Sequence, residues 1–199
     1  MTEPLFRDDA YLRSCDATVV AVTDKGGVVL DRTVFYPNGG GQPGDSGSMR
    51  WSDQAPIVIA TTVKGATPDE IVHVPAEGSA MPAVGTPVTV ELDWDRRHAH
   101  MRMHTCLHLL SAVLTFPVTG GQVGAEKSRL DFDIPEATVD KDDLTATLKD
   151  LIVRDAPVGM RGAAAAPPAV QQALGQTTSA SPRRAPGPRR RAERCVLGS

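Results

Sequence analysis

The chain has 199 residues, of which 41% are apolar, 23% are charged and only 4% are aromatic, and its formal net charge is −3. This composition is typical of a globular protein and excludes a fibre, and no apolar run approaches the roughly 18–20 residues of a membrane-spanning helix. The N-terminus lacks a signal-peptide pattern, and the three cysteines are too few and too far apart for a disulfide framework. We therefore expect a cytoplasmic protein with no membrane partner.

The first part of the chain, residues 1–93, has the pattern of an all-β domain. Short β-branched runs alternate with Pro, Gly and Asp clusters, and the Gly26-Gly27 pair predicts a hairpin turn. The spacing of these runs is typical of a small barrel or a sandwich. The predicted strands cover residues 17–23, 28–30, 33–36, 57–63, 71–74 and 87–92.

The hydrophobic period changes from strand to helix after residue 93. Asp93 or Asp95 can cap the start of a helix whose apolar residues recur at helical spacing, and Pro117 and the loop pair Gly120-Gly121 are expected to stop it. Residues 128–134 alternate as expected of a half-buried strand. Asp140 is expected to cap a second helix, in which Leu144, Leu148, Leu151 and Ile152 form one apolar stripe. We predict an α+β domain over residues 94–161.

The character of the chain changes again after Arg161. Residues 162–199 consist largely of Ala, Pro, Gly and Arg, and their balance of +5 leaves a net charge of −8 for residues 1–161. A segment with so few large apolar side chains cannot offset its ordering entropy, so we predict a disordered tail. Its basic charge could attract nucleic acid, but it is equally typical of a solvated tail.

Four of the five histidines lie within eleven residues, at positions 98, 100, 104 and 108. His104 and His108 have the His-x3-His spacing, which on a helix places two imidazoles on one face within reach of one ion. A catalytic zinc ion generally takes three protein ligands, so two polar residues on a helix face remain the alternative interpretation.

Two glycine-containing segments are further candidates for a functional site. Gly39, Gly40 and Gly41 free the backbone for positive φ and for close approach of a ligand, although a wide loop between strands is the alternative. The segment lacks the endings of phosphate and dinucleotide loops, so no nucleoside triphosphate is predicted. In the second segment, the Gln122 amide could bond a ligand near the histidines or could simply lie on a surface loop.

Taken together and in this order, the motifs resemble those of the freestanding alanyl-tRNA editing proteins (AlaX) and the editing region of alanyl-tRNA synthetase. The resemblance implies a translation-protein-like β-barrel followed by an α+β, class II synthetase-like editing domain, truncated here. It also implies Zn²⁺ in a cleft and hydrolysis of Ser-tRNA or Gly-tRNA wrongly made on tRNA(Ala). The matching stretches, within residues 5–160, are Leu30 to Gly47, Met101 to Leu110, and Gly121 to Phe132.

The resemblance also implies roles for individual residues. His104 and His108 match two zinc ligands, and Gln122 matches a polar residue that handles the misacyl group, which makes it our catalytic candidate. The candidate substrate-binding residues are Gly39, Gly40, Gly41, Gln42 and Asp45. The candidate tRNA contacts are Arg96, Arg97 and Arg102, which could instead be solvated helix charges.

One motif that the resemblance leads us to expect is absent. The family's other two ligands come from a Cys-x-x-x-His motif, but no histidine follows His108, and Cys195 is followed only by Val-Leu-Gly-Ser. We therefore expect metal-dependent editing to be impaired in this chain; the alternative is an inactive tRNA-binding remnant. Our hypothesis is that a shifted reading frame produced the residues after Arg161, and a search of the other frames for the missing motif tests it.

Overall fold

A computed structural model describes most of the chain, and residues 193–197 are described for their backbone only. No helix in the described part is long and apolar enough to cross a lipid bilayer. The chain forms two compact units, Met1–Met101 with Val123–Glu126 and Arg102–Gln122 with Lys127–Ser199. The described residues are 1–53, 55–67, 69–135, 139–156 and 193–197.

The first unit is built on a closed β-barrel of six antiparallel strands. The barrel strands are β2 (Ser14–Val22), β3 (Val28–Leu30), β5 (Gly47–Arg50), β6 (Ile57–Lys64), β7 (Ile71–Pro75) and β8 (Pro87–Leu92). They follow the order β2-β3-β7-β6-β5-β8 around the barrel. Beside it, the short strands β1 (Glu3–Pro4) and β4 (Arg32–Thr33) pair in parallel. The predicted N-terminal β-barrel is confirmed.

The barrel interior is filled almost entirely by aliphatic side chains. Alternate residues of each strand point inward, so a strand such as β8 buries Val88, Val90 and Leu92 and leaves the residues between them more accessible. Each fully buried side chain of this size contributes roughly 1.5–3 kcal/mol of burial free energy, which is how the fold compensates for its few aromatic residues. The side chains with no exposed surface include Val19, Leu30, Phe35, Met49 and Ile59.

The strand predictions agree with the barrel except at the glycine-rich segment. Gly26, with φ of +76°, forms the β2–β3 hairpin as predicted. The predicted strand 33–36 was wrong beyond Thr33, because the hydroxyl of that residue accepts the Phe35 N–H (3.0 Å) and the chain leaves the sheet. Strand β5 was missed because it begins with Gly47 and Ser48, which carry little β-propensity.

One polar residue in the barrel core, His73, has no exposed surface. Its Nδ1 lies 3.1 Å from the Val28 carbonyl oxygen, which can only accept, so Nδ1 carries the proton. Its Nε2 therefore accepts the hydroxyl hydrogen of Thr33 at 2.8 Å. Burial lowers the pKa of His73 from 6.5 to about 4, so the imidazole is neutral in the folded protein.

We expect the neutral His73 to make stability depend on pH. Unfolded His73 takes up a proton below pH 6.5 and folded His73 only below about pH 4, so acid favours the unfolded chain. The contribution of the neutral His73 to the free energy of unfolding is fully present above pH 6.5 and falls by about 3 kcal/mol as the pH drops to 4. Urea unfolding at pH 7 and pH 4.5 measures this fall, and a His73→Gln variant should show a shallower one. An equal fall in both proteins would contradict the assignment.

The second unit contains a three-stranded antiparallel sheet and two helical segments. The sheet order is β11-β10-β9, with β9 (Val118–Gln122), β10 (Ser128–Phe132) and β11 (Glu193–Leu197). Helix α1 (Trp94–Val113) contributes residues to both units, and α2 (Lys141–Val153) belongs to the second. The predicted α+β architecture is confirmed.

The predicted N-terminus of α2 is present in detail. The Asp140 carboxylate accepts the backbone N–H groups of Asp142 (2.8 Å) and Asp143 (3.1 Å), which are otherwise unsatisfied at a helix start. Leu144 and Leu148 are buried on the predicted apolar stripe. Ile152, expected on the same stripe, is instead 54% exposed.

Two strands of the second unit were not predicted. Strand β9 contains Gly120 and Gly121, which we interpreted as a helix stop and loop. Strand β11 lies within the segment 162–199 predicted to be disordered, and its backbone pairs with β10 in a register that sets the Cα atom of Cys195 opposite that of Leu130. The rest of that segment lies outside the described residues, so the prediction of disorder is not tested there.

Candidate metal and substrate site

Helix α1 holds the His104 and His108 rings in a stack. Their centroids are 4.9 Å apart and their planes differ by 14°, as residues four apart on a helix allow. His104 is half-buried, and this burial, with a smaller contribution from the charge of His108, lowers the pKa of His104. Its imidazole is therefore more readily neutral than a free one, which is the form that binds a metal.

The described residues supply only part of a zinc site. No group of three or more His, Cys, Asp or Glu side chains lies close enough to share an ion within the described ranges. His104 and His108 offer two donors, whereas a catalytic zinc ion takes three and a structural one four. The described residues therefore do not complete a zinc site, and the role of the pair as ligands stays a prediction.

The other two clustered histidines lie in different environments, in the first unit. The His98 ring stacks on the Trp94 indole, with centroids 5.5 Å apart. His100 is 2% exposed, and burial, assisted by the nearby Arg96 and Arg97 charges, lowers the pKa of its imidazole. The four histidines are thus close together in the sequence, but among them only His104 and His108 stack on each other in the structure.

The glycine-rich segment forms a tight hairpin in the first unit. Gly39 and Gln42 exchange both of their backbone hydrogen bonds, at 3.1 and 3.0 Å. Between them, Gly40 and Gly41 have φ of +60° and +78°, the combination that a type I′ turn requires. Two successive positive φ angles explain the glycines at these positions without reference to a ligand.

The arm of the loop that follows the turn is packed against strand β6. A Cβ atom added at Gly44 would overlap the Thr62 carbonyl oxygen, so only glycine fits there. The Thr62 hydroxyl donates to the Asp45 carbonyl oxygen (3.0 Å), and the Thr62 carbonyl accepts the Asn38 N–H (2.9 Å). These contacts hold both arms of the loop against the barrel wall.

A buried ion pair joins the loop to the first turns of α1. Asp45 Oδ2 accepts a hydrogen bond from Arg97 Nη1 and another from the Tyr36 backbone N–H at 2.6 Å. The side chains of Asp45 and Arg97 are only 1% and 4% exposed. Burial raises the pKa of Asp45, while the Arg97 charge and the Tyr36 N–H oppose the rise.

The candidate substrate-binding residues therefore fall into two groups. The glycines form the exposed turn, where a ligand can approach Gly40 and Gly41 and where Gly39 is partly buried, whereas Gln42 and Asp45 are buried. Asp45 is better explained as the anchor of the loop than as a substrate contact. At the tip, the Gly41 carbonyl accepts the N–H of Val123 at 2.8 Å.

The three candidate tRNA contacts also differ in how far they are buried. Arg96 donates to the Gly44 carbonyl (2.9 Å) and to the Ser46 hydroxyl (3.3 Å), and Arg97 is the buried partner of Asp45. Arg102, in the second unit, is exposed. Arg97 is thus better explained by its structural contact, while a phosphate contact stays a prediction for Arg102.

Gln122, the catalytic candidate, lies at the end of β9. It is exposed and sits opposite Arg129 of β10 in the sheet register. Its position leaves the amide accessible to a ligand, which is what the predicted role needs. The pairing of Asp45 with Arg97 was not predicted, because partners 52 residues apart in the chain carry no local sequence signal.

A family model described as tRNA synthetases class II (A) matches residues 12–96 of the chain. The match covers the barrel and the start of α1, so this part of the chain is similar to a segment of class II tRNA synthetases.

Longer alignments relate the chain to individual proteins. It is 39% identical over 168 residues to the alanyl-tRNA editing protein AlaX-M of Methanosarcina barkeri, covering 80% of this chain and 68% of that protein. It is 42% identical over 148 residues to AlaX-M of Methanosarcina acetivorans, covering 71% and 60% of the two chains. The chain belongs to the alanyl-tRNA editing protein family.

The same region also resembles part of a synthetase. The chain is 43% identical over 142 residues to the alanine–tRNA ligase of Pyrobaculum arsenaticum, covering 70% of this chain and 15% of the ligase. The alignment with the M. acetivorans protein spans three fifths of that protein's length. The activity and substrates of these longer relatives are therefore proposed, and not stated, for this chain.

Proposed function

We propose that this chain is a trans-editing hydrolase, one that removes serine or glycine from mischarged tRNA(Ala). The observation that carries the proposal is the stacked His104–His108 pair on α1 of a chain whose relatives are named alanyl-tRNA editing proteins. Its partner would be the mischarged tRNA, and its activity an ester hydrolysis.

Hydrolysis of an aminoacyl ester requires few catalytic groups from the protein. A water molecule adds to the ester carbonyl carbon, the bond to the ribose oxygen breaks, and the proton lost by water ends on that oxygen. An aminoacyl ester is already reactive, so a positioned water and stabilisation of the developing oxyanion are sufficient.

Gln122 is the residue we propose for recognition of the misacyl group. It is exposed at the end of β9, and its amide can both donate to and accept from a seryl hydroxyl. A pocket that hydrogen-bonds this hydroxyl leaves its own polar groups unsatisfied when alanine binds, which protects the correctly charged tRNA.

We also propose Zn²⁺ as the cofactor, with His104 and His108 as two of its ligands. Such an ion would supply a Lewis acid to the reaction. Because the described residues provide only these two donors, we expect it to be held weakly and editing to be impaired.

The second candidate function is tRNA binding without hydrolysis. It is favoured by the donor set of the described residues, which is too small for a catalytic zinc ion. In that case the chain would hold tRNA(Ala) and leave the ester intact.

Deacylation of radiolabelled Ser-tRNA(Ala) and Gly-tRNA(Ala), with and without a chelator, tests the first proposal. We expect slow, chelator-sensitive hydrolysis that the double variant His104→Ala/His108→Ala abolishes, together with any bound zinc. Cys106→Ser, at a free cysteine on the same helix, is the matched control and should retain both. Hydrolysis that the double variant leaves unchanged would exclude the histidine pair, and tRNA binding without hydrolysis would favour the second candidate.

A further inference from the structure

A cluster of stacked side chains on the first unit has no part in the site described above. The Trp94 indole lies at the centre of this stacking cluster, and the Tyr11 ring approaches it with a centroid distance of 5.8 Å and a tilt of 48°. The His98 ring is parallel to the indole within 10°, at 5.5 Å. The Arg13 guanidinium carbon lies 4.6 Å from the indole centroid.

The cluster leaves an aromatic ring and a cation open to solvent. Tyr11 is 64% exposed, which is high for a large side chain that already contacts another ring. Arg13 is exposed too, and within residues 1–53, 55–67, 69–135 and 139–156 its guanidinium makes no ion pair or hydrogen bond. A guanidinium stacked on an indole keeps its N–H groups at the edge of the plane, free to donate to a partner.

These features together favour one class of partner. Exposed rings offer π faces on which unpaired bases stack regardless of sequence, and an adjacent arginine offers donors to a phosphate. An acidic peptide could use the cation but would leave the rings unused. Residues 1–161 carry a net charge of −8, so a broad electrostatic attraction to nucleic acid is excluded and binding needs a local site.

We propose that Tyr11, Arg13, Trp94 and His98 form a docking site for unpaired nucleotides of RNA. A base stacks on the exposed Tyr11 ring, and Arg13 donates to the phosphate beside it. Trp94 holds the guanidinium in place, and His98 packs against Trp94. The inference rests on the proposed function only in taking tRNA as the natural source of these nucleotides.

Binding of a fluorescein-labelled single-stranded RNA hexanucleotide, followed by anisotropy, tests this proposal on the full chain. We expect Tyr11→Ala to weaken binding about tenfold or more, as loss of one stacked base does. We expect Arg13→Gln to weaken it and to reduce the slope of log K against log salt concentration by about 0.7, the value for one phosphate contact with a single strand. Arg50→Gln, another exposed arginine beside a tryptophan, is the matched control and should bind as the wild type does.

A spectroscopic readout locates the contact. In a Trp51→Phe background Trp94 is the only tryptophan, and we expect RNA to quench its fluorescence. Unchanged affinity and salt slope in both cluster variants would overturn the proposal, as would a wild-type chain that does not bind the RNA. Variants that lower the melting temperature but bind RNA normally would show that the cluster only anchors the N-terminal segment, which also overturns it.

The outcome is separable from that of the proposed function. RNA binding through the cluster in a chain that hydrolyses no mischarged tRNA would leave this inference standing and remove the enzymatic proposal. If the chain hydrolyses mischarged tRNA but its Tyr11→Ala and Arg13→Gln variants bind RNA normally, the enzymatic proposal would stand and this inference would fall.

Discussion

Replacing Asp45 with asparagine should lower the free energy of unfolding by about 3 kcal/mol, the lower end of the cost of breaking a buried ion pair. The variant keeps the size of the side chain and an oxygen for the Tyr36 N–H, but it leaves the Arg97 guanidinium buried without a counter-charge. Urea unfolding at pH 7, followed by circular dichroism, measures the change. The double variant Asp45→Leu/Arg97→Met should lose less free energy of unfolding than Asp45→Asn does, because it leaves no buried charge.

A matched control comes from an ion pair on the surface. Asp150 and Arg154 form a bridge one turn apart on α2, with side chains 58% and 66% exposed. Exposed pairs of this kind contribute about 0.3–0.5 kcal/mol, so Asp150→Asn should have an effect several times smaller. Equal effects of Asp45→Asn and Asp150→Asn would show that burial of the Asp45–Arg97 pair has no energetic consequence.

The substitution Gly44→Ala should destabilise the first unit by about 2–3 kcal/mol, the cost of forcing an extra methyl group into a packed site. The added Cβ would overlap backbone atoms of Thr62, and a backbone neighbour cannot move aside as the end of a flexible side chain can. The loop must then separate from β6 and lose the hydrogen bonds that Thr62 makes to Asp45 and Asn38. Thermal and urea unfolding measure the loss.

Gly78→Ala separates this steric effect from ordinary backbone strain. Gly78 has φ of +78° and no atom within 4 Å of the position of an added Cβ, so alanine there meets strain but no clash. We expect a cost of about 1 kcal/mol. If Gly44→Ala cost no more than Gly78→Ala, the close packing of the loop against β6 would not explain the glycine.

Local features of this protein were determined by the sequence itself. The β2–β3 hairpin follows from Gly26-Gly27, the start of α2 from Asp140, and the stacked rings from histidines four residues apart on a helix. In each case the interacting groups lie within a few residues of one another, so backbone periodicity and side-chain type decide the geometry. The motif order also sufficed to identify the family, because that pattern is a property of the chain and not of its packing.

Only the tertiary structure decided which distant residues meet. Closure of the barrel brings Thr33 to His73 and Asp45 to Arg97, and it made structural partners of residues that the sequence suggested as substrate and tRNA contacts. Such pairs are separated by 40 and 52 residues, and their burial depends on strands such as β5, whose sequence carries little β-signal. The physical reason is that desolvation and long-range pairing arise only when the sheet is complete, and hydrophobic periodicity along the chain reports neither of them.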